Sequence, residues 1–77
     1  MESHVQLKLF ASLSKFSPEN PDRFIISPGE TVGDALKRLG VPLDDVRLIF
    51  LDGVKGEMTS ILHGGERVGV FPPVGGG

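Results

Sequence analysis

The sequence predicts an α+β roll: a mixed sheet of four to five strands with one helix packed across one face. Three observations carry that expectation. Both ends alternate with period two, Val5, Leu7 and Leu9 near the start and Val68 and Val70 near the finish. Between them, Val32, Ala35, Leu36 and Leu39 form one apolar stripe at helical spacing. Asp52-Gly53, set between apolar segments, is the pair that a tight hairpin turn favours.

Taken in order, Val5 to Phe10 reads as a half-buried strand, with Gln6 and Lys8 opposite the apolar parity. Phe10 falls on the polar parity, where packing under a neighbouring loop would cover it. Ala11 to Asp22 is connection. Ser12, Ser14, Ser17, Pro18, Asn20 and Pro21 are turn and breaker residues, while Leu13 and Phe16 anchor the segment. Arg23 to Ser27 is β-branched and aromatic and should pair with the first strand as a hairpin; Pro28-Gly29 ends it. Thr31 opens the helix, and Asp34 completes a capping box. Lys37 and Arg38 occupy the last turn, where cations suit the dipole. Gly40 is placed to stop the helix, and Pro42 prevents continuation. Leu43 to Val46 is a link. Arg47 to Leu51 is a strongly apolar strand, and Val54 to Thr59 is its short return, with Gly56 marking a bulge or an early end. Ser60 to Gly65 turns the chain, with Ile61 and Leu62 pointing inward. Glu66 to Phe71 is the final strand. If it lies beside the first strand, it occupies the sheet centre.

Composition removes several function classes. The chain of 77 residues is one domain. A domain this small buries only about 60% of its unfolded surface, which leaves no room for a core and a deep catalytic pocket together. There is no cysteine, hence no disulfide framework, thiol nucleophile or thiolate metal site. That fits a reducing, cytoplasmic location. No apolar run approaches the roughly 20 residues of a membrane span, and Met1-Glu2-Ser3-His4 does not open a signal peptide. Net charge is −2 with both signs scattered, and no tryptophan or tyrosine is present for base stacking. Neither nucleic acid nor membrane is an expected partner.

No catalytic set is visible. His4 and His63 are far apart and lack metal-ligand spacing, so both read as surface residues and no metal is expected. Asp44-Asp45 reads as a solvated loop. Gly64-Gly65 lacks the Lys-Ser or Lys-Thr of a phosphate-binding loop. Lys8, Lys15, Lys37 and Lys55 read as solvated faces.

What remains is the closing stretch. Residues 1–71 read as the folded domain and 72–77 as a flexible tail. Pro72 and Pro73 have no backbone N–H to give to a sheet, so the chain should leave it as a stiff stalk. Val74, Gly75, Gly76 and Gly77 follow. Glycine lacks a Cβ to clash where backbone threads a narrow channel. Six extended residues reach about 20 Å, enough to carry a main-chain carboxylate into another protein's active site. A carboxylate acylates poorly until it is coupled to AMP as a mixed anhydride. The chain has no nucleotide site, so a partner must supply that step, docking beside the tail on Phe10 and Phe71. Plain core packing is the competing role for those two rings, and a frayed terminus is the competing reading of the tail.

Phe71-Pro72-Pro73-Val74-Gly75-Gly76-Gly77 resembles the C-terminal signature of the MoaD/ThiS sulfur carriers. The MoaD branch, the small subunit of molybdopterin synthase, typically ends Phe-Pro-Pro-Val-(Ala or Gly)-Gly-Gly. Leu9-Phe10-Ala11, Thr31-Val32 and Gly65-Glu66-Arg67-Val68 also sit at family spacing. The resemblance implies a β-grasp, ubiquitin-like fold and no enzyme activity for the chain alone. It implies that an ATP-dependent adenylyltransferase of the ubiquitin-activating type adenylates Gly77, which then becomes a thiocarboxylate. No cofactor would be bound; the adenylate and the thiocarboxylate are covalent intermediates. The sulfur would go to a pterin precursor bound by the acceptor enzyme, the molybdopterin synthase large subunit, with Gly76-Gly77 inserted in its pocket, or to a thiazole synthase in the ThiS branch. The family often has Val-Asn-Gly where this chain has Leu51-Asp52-Gly53. The helix here is short, and the triple glycine also occurs in the ThiS branch.

Four functions follow as expectations: a sulfur carrier for molybdenum- or tungsten-pterin synthesis, a carrier for the thiamine thiazole, a ubiquitin-like modifier joined to lysine through Gly77, and a passive binding module.

Overall fold

Alternation of apolar and polar side chains splits β1, Ser3–Leu9, between two environments. Val5, Leu7 and Leu9 are buried, while Gln6 and Lys8 face away from the core. The computed structural model describes residues 3–73. Four further strands and one helix follow: β2 (Phe24–Ile26), α1 (Val32–Arg38), β3 (Leu48–Leu51), β4 (Val54–Lys55) and β5 (Arg67–Phe71). The sheet order is β2-β1-β5-β3-β4. β5 runs parallel to β1, with Leu7 opposite Val68 and Leu9 opposite Val70. Every other pairing is antiparallel. The last strand in sequence is therefore the central strand in space. The architecture is the expected α+β roll of β-grasp type.

The helix is only seven residues long, so its ends must be secured by tertiary contacts. At its start, the Thr31 N–H donates to Asp34 Oδ2 at 3.3 Å and the Asp34 N–H to Thr31 Oγ1 at 3.1 Å, the reciprocal box read from the sequence. The intervening Val32 and Gly33 N–H groups donate to the Ser60 and Met58 carbonyls at 3.0 and 2.8 Å. All four donors of the first turn thus have partners. At the other end, Gly40 has φ of +80°. Its N–H donates to the Lys37 carbonyl and the Val41 N–H to the Leu36 carbonyl, both at 3.0 Å. That pattern is a Schellman stop. Val32, Ala35 and Leu36 are buried in one cluster with Val5, Leu7, Ile49, Leu62, Val68 and Val70.

Arg38 does more than complement the helix dipole. Its guanidinium grips the buried Glu30 through Nε to Oε2 at 2.7 Å and Nη2 to Oε1 at 3.0 Å. Nη2 also donates to the Ile25 carbonyl at 2.7 Å, and the group lies 4.7 Å from the centre of the Phe24 ring. Glu30 takes a further bond from the Ser27 N–H at 2.8 Å. One side-chain pair therefore fastens α1 to the outer strand.

Turn chemistry fixes the second half. Asp52 and Gly53 have φ of +52° and +81°, the conformation a two-residue hairpin requires, and Asp-Gly tolerates it. The Asp52 N–H and Oδ1 also exchange bonds with the Arg67 backbone at 2.9 and 3.0 Å, tying the hairpin to β5. Before β5, the Glu66 carboxylate accepts the His63 N–H at 2.7 Å and the Gly64 N–H at 2.6 Å. Partial burial opposes its charge. The N–H groups of His63, Gly64 and Glu66 itself outweigh that cost and hold the carboxyl below its ordinary value of 4.5.

Several expectations need correction. Ile61 was expected inward but is 50% exposed, whereas Leu62 is buried. Extended backbone turns adjacent residues to opposite sides, and Ile61 pairs with Thr31 through the backbone. The return strand ends at Lys55 rather than Thr59. The connection 11–22 is built from 3-10 turns, Ala11–Phe16 and Pro21–Arg23. Leu13 is buried and Phe16 packs against the core, as expected.

Two outcomes are expected. Arg38→Ala leaves Glu30 buried without its partner and should lower stability by about 2 kcal/mol in urea unfolding. Because the folded Glu66 carboxyl sits below its unfolded value, its contribution is complete above pH 4.5 and fades as pH falls through the folded value. Glu66→Gln should therefore melt below the parent at neutral pH, and the difference should shrink under acid.

Candidate functional site

The face of the sheet opposite α1 is built by the second parity of its central strands. β1 and the residue after it place Gln6, Lys8 and Phe10 there; β5 places Arg67, Gly69 and Phe71; β3 places Leu48 and Phe50. Register decides which of these meet. Lys8 and Phe50 flank Gly69 on either side, and Leu48 lies opposite Phe71.

Phe10 and Phe71, the two rings singled out in the sequence, come together. Their planes lie within 1° of parallel, with centroids 4.3 Å apart. Phe10 is 38% exposed, so it neither sits in the core nor packs beneath a loop. Phe50 adds a third ring, edge-on to Phe71 at 5.8 Å and 88°. Stacked and edge-on pairs of this kind contribute about 1 kcal/mol each beyond area burial. The rings stand above a shallow recess of about 450 Å³ whose floor includes Gly69, with Lys8, Arg67 and Asp22 at its borders. Sequence reasoning missed Phe50, Gly69 and Arg67 as parts of this surface. The parity of each strand held the signal, but only the β1–β5–β3 register brings the three parities together.

The last rungs of the sheet lie beside the stacked rings. The Phe10 N–H donates to the Val70 carbonyl at 3.1 Å and the Arg47 N–H to the Phe71 carbonyl at 2.8 Å. Pro72 and Pro73 follow directly, outside the strand, with Pro73 exposed. The residues flanking β5 therefore hold it at Val70 on the β1 side and at Phe71 on the β3 side. Val74, Gly75, Gly76 and Gly77 lie outside the described residues.

Ala11 turns the chain away from this end of the sheet. Its φ is +51°, a region where the Cβ of an L-residue crowds its own backbone. The reversal lets the Phe10 ring stay over Phe71 while Leu13 enters the core. Among the described residues, no three His, Asp or Glu side chains cluster as metal ligands, and no helix is long and apolar enough to cross a membrane.

Ala11→Gly should raise stability by about 0.5 kcal/mol, the relief of left-handed strain less the greater freedom of glycine in the unfolded chain. Chemical denaturation of the two proteins compares them directly.

Comparison with known proteins gives the same architecture. The chain is similar to the crystal structure of H. volcanii small archaeal modifier protein 1, with a TM-score of 0.67 and 24% identity, over 94% of this chain and 99% of that one. A second crystal structure, of SAMP1 from Haloferax volcanii, superposes with a TM-score of 0.62 at 24% identity, over 92% and 96% of the two chains. Superposition at that level, with identity this low, shows a shared fold alone. No curated protein sequence matches. A family model described as Mut7-C ubiquitin matches residues 2–75. With that match spanning the sheet, the helix and the aromatic face, the chain belongs to the Mut7-C ubiquitin family.

Proposed function

We propose that the protein is a carrier whose C-terminal glycine, Gly77, is activated as an acyl-adenylate by a partner enzyme and converted to a thiocarboxylate. One observation supports this reading above the others. The central strand, bonded through Val70 on the β1 side and through Phe71 on the β3 side, passes straight into Pro72-Pro73. A firmly held strand followed by residues that cannot extend the ladder is a good base for a presented tail. Residues 72–77 are that tail, with Pro72, Pro73 and Val74 as stalk and Gly75, Gly76 and Gly77 threading the partner's channel.

The chemistry balances without a catalytic group on this chain. The Gly77 carboxylate attacks the α-phosphorus of ATP and pyrophosphate leaves. A sulfur nucleophile then adds to the acyl carbon and AMP leaves, so one oxygen is exchanged for one sulfur. The nucleotide site belongs to an ATP-dependent adenylyltransferase of the ubiquitin-activating type. Phe10 and Phe71, stacked and partly exposed beside the stalk, are its docking contacts. The resemblance of Phe71-Pro72-Pro73-Val74-Gly75-Gly76-Gly77 to MoaD favours molybdopterin synthesis, with the synthase large subunit as acceptor. The thiamine thiazole is the alternative sulfur acceptor.

A second reading has its own support. The solved structures of similar fold are of a protein named as a small archaeal modifier. In that reading, a lysine amine displaces AMP from Gly77 and an isopeptide bond forms.

Intact-mass spectrometry after incubation with the activating enzyme, ATP and a sulfide source should show the exchange of one oxygen for sulfur at Gly77. A C-terminus that stays unchanged rejects the carrier. Covalent higher-mass adducts in cells, lost when Gly77 is deleted, would instead select the modifier. Deleting Gly76-Gly77 should abolish activation and leave the melting temperature unchanged, because glycine has no side chain to bury.

A further inference from the structure

The open face of the sheet combines a recess, an apolar rim and a charge opposite to that of the whole chain. Gly69 occupies the middle of the central strand, where glycine is unfavourable because it packs nothing and orders at high entropic cost. A Cβ there would meet Phe10 Cε2 at 3.5 Å and Phe71 Cε1 at 3.6 Å, ordinary contact distances. The fold therefore has room for a side chain at 69, and its absence keeps the recess open. Phe10, Phe50 and Phe71 leave partly exposed aromatic surface around it.

The lower border is cationic. Lys8 stands beside Gly69, and Arg67 lies two residues earlier on the same strand and face. Both are exposed, and among the described residues neither joins an ion pair. Asp22 is the one carboxylate lining the recess among those residues. The chain as a whole has net charge −2, so this patch reverses the sign of the molecule. On the outer strand β2, Arg38 already occupies the Ile25 carbonyl.

We propose that this recess receives an acidic protein segment carrying one apolar anchor side chain, with the anchor over Gly69 between the phenylalanines and its carboxylates on Lys8 and Arg67. Charge complementarity selects that occupant. Nucleic acid fits less well: Phe10 and Phe71 spend ring faces on each other rather than on bases, and a polyanion would meet a net negative chain. The inference rests on the reading of a carrier that docks on partners, but it makes no use of the tail.

The test is selection of linear peptides from a random displayed library on the full-length chain, followed by affinity measurement of synthetic binders. The enriched peptides should set Leu, Met or Phe among Asp and Glu. They should bind the Lys8→Glu/Arg67→Glu variant about tenfold more weakly, two exposed charge pairs each contributing roughly threefold. Their affinity should fall severalfold between about 50 and about 500 mM salt. Gly69→Ala should weaken binding while the melting temperature holds or rises, a split that a purely structural glycine would not give. Enrichment of neutral or basic peptides, no enrichment, or indifference of the binders to both variants overturns the proposal. So does single-stranded RNA that binds the chain and displaces the selected peptides. Sulfur gain at Gly77 without acidic-peptide binding removes only this inference; acidic-peptide binding on a chain that never gains sulfur removes only the carrier.

Discussion

The parallel pairing of β1 with β5 is the constraint on which everything else hangs. Parallel neighbours cannot be joined by a tight turn, so the chain from Phe10 to Glu66 must leave the sheet and return. On that path it lays α1 across one face and adds β3 and β4 beyond β5. The same pairing makes the final strand central. A central strand is bonded on both flanks, and the Val70 and Phe71 carbonyls are both held at its very end. The point where Pro72 leaves the sheet is therefore fixed on both flanks, as the end of an edge strand would not be.

A short helix can serve as the second layer only because other parts of the chain complete it. Capping by Thr31 and Asp34 satisfies two donors, and the Met58 and Ser60 carbonyls satisfy the two between. The Glu30–Arg38 pair then joins the helix to β2 across the turn at Pro28-Gly29. Buried ionic groups stabilise little compared with apolar packing, but they accept few alternative arrangements. Arg38 Nη2 reaches both Glu30 and the Ile25 carbonyl only when α1 and β2 take this relative position. The pair thus acts as a registration device on a small core, with one layer for each face of the sheet: apolar under the helix, aromatic and cationic on the open side.

Much of this was readable from residues in order. Period-two alternation gave β1 and β5, the Thr31–Asp34 spacing and Gly40 gave both ends of α1, and Asp52-Gly53 gave the hairpin. Phe10 stood out because it broke the parity of polar residues, and that irregularity marked the surface it helps to form. Ile61 misled because two adjacent apolar residues in a turn look equally buried until one is seen to pair with Thr31. Glu30 gave no local signal at all. Its meaning depends on Arg38, eight residues away, and on the Ile25 carbonyl beyond it.

The sequence by itself determined the local elements, because caps, turns and alternation act over a few residues and are written in consecutive positions. It also determined that the central strand runs into two prolines, since that is covalent order. Only the tertiary structure decided that Phe10, Phe50 and Phe71 form one aromatic rim, that Gly69 leaves a recess among them, and that Lys8 and Arg67 border it. Those residues come from three strands separated by most of the chain. Their meeting depends on strand order and register, which non-local hydrogen bonds and burial of the opposite face set together.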